Sequence, residues 1–592
     1  MDHPSFAAAL ICRVLEAEGF RVGIIPQPVW KNDSKNPDSQ NNSLQSANFT
    51  YTALGRPRLA FLAGAGNMDS MVAHYTAAKK PRSEDAYSPG GKMGLRPDRS
   101  LLKYVEGLRR AYKNVPVIIG GIEASLRRFS HYDYWSDKVR RSVLLDSKAD
   151  ILVYGMGERA IIEIARRLAA GEDIANINDV RGTCFRRNEC PKDALELPSH
   201  DAVKGRDDVS RKAYAEHFML QKQNSDPLSG RLLAEQNGAA QNDGAKTPER
   251  WVIQNPPAFP LESKELDRIY ELPFTRKAHP VYDTSGGVPA LKEVSFSIVS
   301  SRGCFGGCSF CAITFHQGRA VSSRSKESLV REAKLLTRHP LFKGYIHDVG
   351  GPTANFYTPA CVKQKKGGFC AERECLANSS GESSPCPQLK ADHKPYLETL
   401  AALRSADLKI KKVFIRSGIR FDYIALDNQN GNEFLEKLCK YHVSGQLKVA
   451  PEHIAPNALE AMGKPAAAHA YEEFRKKFFA VNKKLGMKQF LIPYFISGHP
   501  GCTLKDTAEL ARYLKQSGFV PDQVQDFYPT PGTLSTAMYW TGIDPRSGKI
   551  IHVPAEREKH LQRALLHFNK KENQGLAKKA LKEASLEESY LF

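Results

Sequence analysis

Three cysteines lie close together near the middle of the chain and constrain its fold more than any other feature. They are Cys304, Cys308 and Cys311, at the spacing C-x3-C-x2-C, with glycines at Gly303, Gly306 and Gly307. Cysteine thiolates hold iron–sulfur clusters, usually four to a cluster, so three can leave one iron open. Glycine lets a backbone curl tightly around such an inorganic core. The alternatives are buried, unligated thiols and a zinc knuckle, which would need a second cysteine pair.

Residues 302–311, with the aromatic Phe310 before the last cysteine, resemble the signature of the radical S-adenosylmethionine (SAM) enzymes. The resemblance implies that Cys304, Cys308 and Cys311 ligate a [4Fe–4S] cluster whose fourth iron binds SAM. In that superfamily an electron from the cluster cleaves SAM to a 5′-deoxyadenosyl radical. It also implies an electron donor, such as a flavodoxin or a ferredoxin.

Composition sets the class of protein and its expected compartment. The 592 residues suffice for several domains, and no apolar run approaches the roughly 20 residues of a membrane span. Six of the twelve cysteines lie between Cys304 and Cys375, and the acidic N-terminus is unlike a signal peptide. We therefore expect a cytoplasmic protein, free of the membrane, whose cysteines bind metal rather than form disulfides.

The net charge of +20 leaves the nature of the partner open. A basic surface attracts RNA electrostatically, and radical SAM enzymes that modify tRNA share the same core. However, the positive charge is spread along the chain rather than gathered in a block. An ordinary basic surface therefore explains it as well as an RNA partner does.

Alternating strands and helices predict an α/β protein of several parts. We expect a Rossmann-like domain at 1–190, a linker with a flexible insertion at 191–289, a core at 290–552, and a charged, solvated helical tail at 553–592. Six βα units in the core match the partial (βα)6 TIM-type barrel of radical SAM enzymes. The N-terminal domain resembles their cobalamin-binding-like domain. It lacks the Asp-x-His-x-x-Gly motif that supplies a cobalt ligand, so we expect no firmly bound corrinoid.

Polar and glycine motifs follow the predicted core strands at the ends where such barrels carry their chemistry. Gly350 and Gly351 match the position of the glycine motif that contacts the SAM amino group, with Pro352 in place of its acid. Glu452 is expected near the SAM ribose, and His499 near the adenine and sulfonium. A tight turn at the glycines and a structural role for His499 are the alternatives.

Five stretches together resemble the YgiQ family of uncharacterised radical SAM proteins over nearly the whole chain. They are Asp2-His3-Pro4-Ser5-Phe6, Gly120-Gly121-Ile122-Glu123-Ala124-Ser125, His131-Tyr132-Asp133-Tyr134-Trp135, Tyr154-Gly155-Met156-Gly157-Glu158 and Gln525-Asp526-Phe527-Tyr528-Pro529-Thr530-Pro531. The family supplies no substrate. Its members carry a strand before the first stretch, with valine where Met1 stands, so we expect that the gene start was assigned at a GTG codon. A non-catalytic iron–sulfur protein is the remaining alternative.

Four more cysteines follow the second predicted core strand, at C-x8-C-x4-C-x10-C: Cys361, Cys370, Cys375 and Cys386. Their segment has too few apolar residues to order itself, and segments of this kind commonly need a metal or disulfides. Four cysteines suit either a structural zinc or a second iron–sulfur cluster, with His393 as a further candidate ligand. A loop of unligated thiols is the alternative.

Overall fold

The structure is a computed structural model that describes residues 1–30, 50–238, 250–376, 384–521 and 524–592. It divides into two compact units. The first comprises Met1–Gly205, Asn224–Pro260 and Lys264–Ser295; the second comprises Arg206–Gln223, Leu261–Ser263 and Phe296–Phe592. Within the described residues, no helix is both long and apolar enough to cross a membrane.

The first unit is built on a seven-stranded mixed sheet in the order β1-β2-β5-β6-β9-β8-β7. Its strands, with the separate β3–β4 pair, are β1 (Phe61–Gly64), β2 (Val117–Gly120), β3 (His131–Asp133), β4 (Lys138–Arg140), β5 (Ile151–Val153), β6 (Thr183–Arg187), β7 (Leu195–Leu197), β8 (Leu233–Asn237) and β9 (Arg250–Gln254). The α-helices are Ala7–Ala17, Ser70–His74, Ser100–Ala111, Ile122–Leu126, Val143–Ser147, Glu158–Ala169, His200–Val203, Ser263–Tyr270 and Pro289–Val294.

The parallel part of this sheet follows from its buried apolar strands. Strands β1, β2 and β5 pair in parallel, and β2 and β5 bury Ile118 and Ile151 against the helix Glu158–Ala169. A helix begins directly after Gly121, whose φ of 85° favours glycine. The predicted α/β fold with parallel strands is therefore present in the first unit.

The predicted boundary at residue 190 does not match the structure. Strands β7, β8 and β9 lie within the range 191–289, which we expected to be a linker, and they complete the sheet of the first unit. Strand β8 also lies inside the flexible insertion, expected at 223–248, of which residues 239–248 are outside the described residues. Strands β7 and β8 escaped prediction because they lie in a polar part of the chain and their pairing is long-range.

The second unit contains the predicted βα repeats. Its strands are β10 (Ser297–Val299), β11 (Ser301–Arg302), β12 (Ser322–Ser323), β13 (Tyr345–Ile346), β14 (Asp348–Gly350), β15 (Lys412–Val413), β16 (Gln446–Glu452), β17 (Phe490–Ser497), β18 (Gln525–Asp526), β19 (Ile543–Asp544) and β20 (Lys549–Ile550). The α-helices are Asp208–Gln223, Ala312–Gln317, Lys326–Thr337, Val362–Lys365, Lys394–Leu403, Phe421–Leu426, Gly431–Lys437, Pro456–Ala461, Ala467–Leu485, Leu504–Ser517, Leu534–Thr541, Glu556–Leu566 and Lys571–Glu583.

The core strands of this unit pair in parallel. Strand β10 pairs with β14, β13 with β15, β16 with β17, and β17 with β18. A single bridge joins Ile419, after β15, to Val449 of β16. The carboxyl ends of these strands therefore lie on one side, where the sequence places its polar motifs.

The C-terminal segment is helical, as predicted, but the expectation that it is a solvated tail is wrong. Leu561 and Leu565 of the helix Glu556–Leu566 and Leu581 of the next helix are buried. They share an apolar core with Phe495 of β17 and Leu514. The charged residues between these leucines lie on the outer face of the helices. In the sequence they interrupt the apolar residues, so the buried apolar stripe is hard to recognise.

Candidate functional site

The loop with the first three cysteines is fixed at both ends by backbone hydrogen bonds. It leaves β11, and the Cys304 amide donates to Gly318 O at 3.1 Å. Further along, the Ser309 amide donates to Met462 O at 3.0 Å and its hydroxyl to Ala461 O at 2.6 Å. The loop is thus held against the segment that follows the helix Pro456–Ala461.

The glycines of this loop make room for neighbouring groups. A Cβ on Gly306 would lie 3.3 Å from the Cys304 sulfur and 2.7 Å from Nη1 of Arg420. Gly307 has a φ of 70°, and a Cβ there would overlap the Glu374 carboxylate. The close packing therefore explains why the loop needs glycine at both positions.

Arg420 places a buried positive charge beside the cysteines. Its Nη1 donates to Cys308 Sγ at 3.5 Å and to Gly306 O at 3.2 Å, while its Nε donates to Asp422 at 2.8 Å. Burial opposes its charge, but Asp422 and then the two nearest cysteines outweigh this and raise the pKa of Arg420. The guanidinium therefore stays protonated and directed at the sulfur.

The residues present fit an iron–sulfur cluster. Burial raises the pKa of Cys308, and it raises that of Cys311 to about 12, so thiolates here need positive charge nearby. Arg420 supplies part of that charge, and bound iron would supply the rest. In the parts of the chain that the structure describes, no three His, Cys, Asp or Glu side chains converge on one ion. A cluster does not require such convergence, because each cysteine binds a different iron.

A cavity of about 360 Å³ adjoins the cysteine loop at the ends of three strands. Phe310, from the loop itself, forms one wall. Its other lining residues are Ala450, Glu452, Tyr494, Ile496, Gln525, Asp526, Phe527, Tyr528 and Thr530. Apolar and aromatic walls with a few polar groups are typical of a site for a small organic ligand, and the volume is within the usual range.

Glu452 enters this cavity from a strained backbone. Its φ is 68°, in the left-handed region, and the register of β16 shifts between Val449 and Glu452. Lys464 Nζ lies 3.4 Å from the Glu452 carboxylate and also donates to Ala450 O. Strained backbone in a residue other than glycine persists where the surroundings enforce it, often at functional sites. Glu452 is thus the predicted site residue that the structure sets in the cavity wall.

His499 lies behind the cavity wall instead. Its Nδ1 lies 2.6 Å from Pro500 O and its Nε2 lies 2.7 Å from Ser535 Oγ, so both nitrogens have protein partners. Burial lowers its pKa to about 3. Its ring packs edge-on against Phe527, which does line the cavity. The structural interpretation of His499 fits this geometry better than direct contact with a ligand.

Gly350 and Gly351 lie where neighbouring strands approach closely. A Cβ on Gly350 would come within 2.7 Å of Ser417 Oγ, and one on Gly351 within 2.6 Å of Ser301 O. The hydroxyl oxygen of Thr353, just beyond them, lies 3.4 Å from Cys304 Sγ. Strand packing alone accounts for the glycines, and the turn they begin reaches the first cysteine.

The second set of cysteines lies beside the first. Cys375 packs against the apolar cluster that contains Cys304. Its carbonyl accepts a hydrogen bond from the Cys386 amide at 2.9 Å. Cys361 and Cys386 both act on the Cys375 thiol electrostatically. Cys370 is exposed. Zinc requires four ligands that converge on a single ion. The four described thiols do not converge in this way.

His393 is not placed to bind a metal, contrary to our expectation. Its Nδ1 lies 2.8 Å from Asp427 and its Nε2 lies 3.1 Å from Asn355, inside the second unit. Both nitrogens are therefore engaged with protein. The residue is a buried link between two polar side chains.

Several residues of the site could not be predicted from the sequence or were not predicted. Arg420, Asp422 and Lys464 carry no motif, and Arg420 is 112 residues from Cys308. The stretch from Gln525 to Thr530 was noted only for its family resemblance, yet much of it lines the cavity. Its position at the end of the last core strand, β18, was the available signal, because ligands bind at strand ends in such folds.

Family models and curated relatives match nearly the whole chain. Residues 1–297 match the model described as "Radical SAM N-terminal", 298–514 match "Radical SAM superfamily", and 522–588 match a domain of unknown function. A UPF0313 protein of Clostridium botulinum (strain ATCC 19397) is 49% identical over 591 residues, 99% of this chain and 86% of that protein. One of Clostridium perfringens (strain 13) is 48% identical over 592 residues, 99% and 84% of the two chains.

Similar solved structures include two kinds of radical SAM enzyme. The methyltransferase TsrM of Kitasatospora setae, with tryptophan and a SAM analogue bound, has a TM-score of 0.43 at 15% identity and covers 90% of this chain and 72% of its own. The cobalamin-dependent enzyme OxsB with aqua-cobalamin and SAM has a TM-score of 0.41 at 11% identity, covering 80% and 63%.

Proposed function

Because the chain belongs to the UPF0313 family of radical SAM proteins, we propose that it cleaves SAM reductively to a 5′-deoxyadenosyl radical. The substrate of that radical is unknown. The supporting observation is the adjacency of three elements: the loop with Cys304, Cys308 and Cys311, the Arg420 charge, and the cavity that Phe310 joins to the loop. Under this proposal the strands that pair in parallel, which are β10 and β13 to β18, form the partial (βα)6 barrel.

The chain's own residues prepare the site. Cys304, Cys308 and Cys311 each hold an iron, and Arg420 offsets the negative charge of the thiolates. When bound, a [4Fe–4S] cluster supplies the single electron that breaks the carbon–sulfur bond of SAM. The aromatic walls of the cavity exclude water from the bound ligand.

Glu452 is a polar group in the cavity wall, and Lys464 forms an ion pair with it. The Lys464 ammonium lies 3.4 Å from Oε1 of Glu452. The second carboxylate oxygen of Glu452 can then accept hydrogen bonds from the ligand. A carboxylate accepts hydrogen bonds from the two hydroxyls of a ribose. We therefore assign Glu452 to the ribose of SAM. Gly350 and Gly351 would contribute backbone groups only, because neither carries a side chain.

The proposal is tested by anaerobic reconstitution with iron, sulfide, SAM and dithionite. The expected products are 5′-deoxyadenosine and methionine in equal amounts, at one electron per SAM, measured by mass spectrometry. Cys308→Ala should abolish both products, whereas Cys12→Ala, in the helix Ala7–Ala17, should retain them. A fully loaded native protein that leaves SAM intact would overturn the proposal in favour of a non-catalytic iron–sulfur protein.

A further inference from the structure

A few specific contacts hold the described residues around Cys361, Cys375 and Cys386. Gln364 is buried; its side-chain oxygen accepts from the Ala360 amide at 3.1 Å, and its Nε2 lies 3.7 Å from Cys375 Sγ. Beyond this, the Lys390 amide donates to Ala360 O at 2.8 Å. These bonds draw together the chain beside Cys361, Cys375 and Cys386.

Arg319 fixes the stretch that contains the fourth cysteine. Its guanidinium is buried and donates to Cys370 O at 2.8 Å and to Arg373 O at 3.0 Å. It also pairs with the Glu374 carboxylate at 2.6 Å, and Lys222 pairs with the same carboxylate at 3.0 Å. Cys370 and Cys375 are therefore the ends of a short stretch whose backbone is held in place.

We propose that Cys361, Cys370, Cys375 and Cys386 hold a second [4Fe–4S] cluster. The contacts around Gln364 hold the chain beside three of the thiols, and the exposed Cys370 would be the fourth ligand. A cluster with four thiolates is anionic, and Lys363, Lys365 and Lys366 lie within the same segment. This proposal does not depend on SAM cleavage.

A cluster suits the site better than zinc does. Four zinc ligands must surround one ion at about 2.3 Å, and the described residues contain no such group. The same is true of Cys304, Cys308 and Cys311, which match the superfamily's cluster motif. Cysteines that hold a cluster are farther apart, because each binds its own iron. Neither set of described thiols therefore has the close grouping that zinc needs, and a cluster does not need that grouping.

The position of this second site would allow it to pass electrons to the first. Glu374, adjacent to Cys375, lies against Gly307 of the first loop, and Cys375 packs on the apolar cluster that includes Cys304. Cys370 reaches solvent, whereas Cys304 is buried. An external one-electron donor would reduce the second cluster, and that electron would move inward to the first.

The test uses the full chain with Cys304, Cys308 and Cys311 all changed to alanine, which removes the first site. After anaerobic reconstitution we expect about four iron and four sulfide per chain, with the visible absorbance of an iron–sulfur cluster. Adding Cys375→Ala should remove this iron, whereas adding Cys12→Ala should not. A folded triple variant without iron, or with zinc in its place, would overturn the proposal.

A reciprocal variant covers the case in which the triple variant fails to fold. Cys361→Ala/Cys375→Ala, with the first loop intact, should bind about half of the iron that the native chain binds. Equal iron in the two proteins would contradict a second cluster. Neither measurement uses SAM, so a protein that binds both clusters but leaves SAM intact would refute only the proposed function.

Discussion

At the scale of single residues, Arg420 makes a charge-assisted contact with a sulfur that is expected to bind iron. Its guanidinium also forms a bidentate pair with Asp422, which aims it at Cys308. A hydrogen bond to a cluster sulfur favours the reduced, more negative state. Arg420 is thus a positioning and tuning residue rather than a ligand.

Arg420→Met should lower the reduction potential of the first cluster and slow SAM cleavage by about 10–100-fold. The potential is measured by electron paramagnetic resonance during redox titration, and it responds to charge rather than to folding. Because the variant leaves Asp422 buried without its partner, Arg420→Met/Asp422→Asn serves as the matched control. An unchanged potential in both proteins would refute the role given to Arg420.

At the scale of elements, the end of β16 combines a strained residue with a polar side chain in the cavity. Glu452→Gln keeps the shape but removes the charge, so the affinity for SAM should fall about tenfold. Calorimetry on the cluster-loaded protein measures this. Glu460→Gln, on the exposed face of the helix Pro456–Ala461, is the control and should bind SAM normally. If both variants bind SAM with equal affinity, Glu452 does not contact SAM.

The two C-terminal helices belong to the core of the second unit. Leu565 is fully buried among Phe495, Leu514 and Leu581. Leu565→Ala should therefore destabilise the unit by about 2–5 kcal/mol, because it leaves a cavity. Leu576, in the helix Lys571–Glu583, is 45% exposed, and Leu576→Ala should change stability by less than about 0.5 kcal/mol. Unfolding of both variants in guanidinium measures this. If their unfolding midpoints shift by the same amount, the described packing of Leu565 is contradicted.

At the scale of the whole molecule, buried neutral histidines make the protein sensitive to acid. Burial lowers the pKa of His131 to about 3 in the first unit, and those of His453 and His499 to about 4 and about 3 in the second. An unfolded histidine titrates near 6.5. Between these values the unfolded chain binds more protons, so stability falls as the pH drops from about 6.5 towards 4.

Melting temperatures measured across this range test the argument. The native chain should melt at progressively lower temperature from pH 7 to pH 4.5. His499→Gln cannot take up a proton, so its melting temperature should depend less steeply on pH, even though it loses contacts at neutral pH. The same slope in both proteins would mean that His499 does not contribute to acid sensitivity.

Also at this scale, the first unit bears on whether the protein carries a corrinoid. The chain has no Asp-x-His-x-x-Gly motif to supply a cobalt ligand. Native protein from cells supplied with cobalamin should therefore be purified without corrinoid absorbance. Stoichiometric cobalt in that preparation would contradict this expectation.

Local sequence patterns were sufficient to predict those parts of the structure that depend on residues close together in the chain. The cysteine loop, its glycines and the βα units of the second unit are of this kind, because turn geometry and apolar periodicity act over a few residues. The position of Glu452 at a strand end could also be predicted, since parallel strands bring their carboxyl ends to one side.

Contacts between distant parts of the chain became visible only in the folded molecule. Nothing near Cys308 in the sequence indicates Arg420, and Asp526 joins Glu452 in one cavity only because β16, β17 and β18 are neighbours. Strands β7 to β9 are joined to their sheet by long-range pairing, and the C-terminal leucines are buried by partners outside their own helices. Such contacts are set by packing between remote segments, whose energy does not appear in any local pattern.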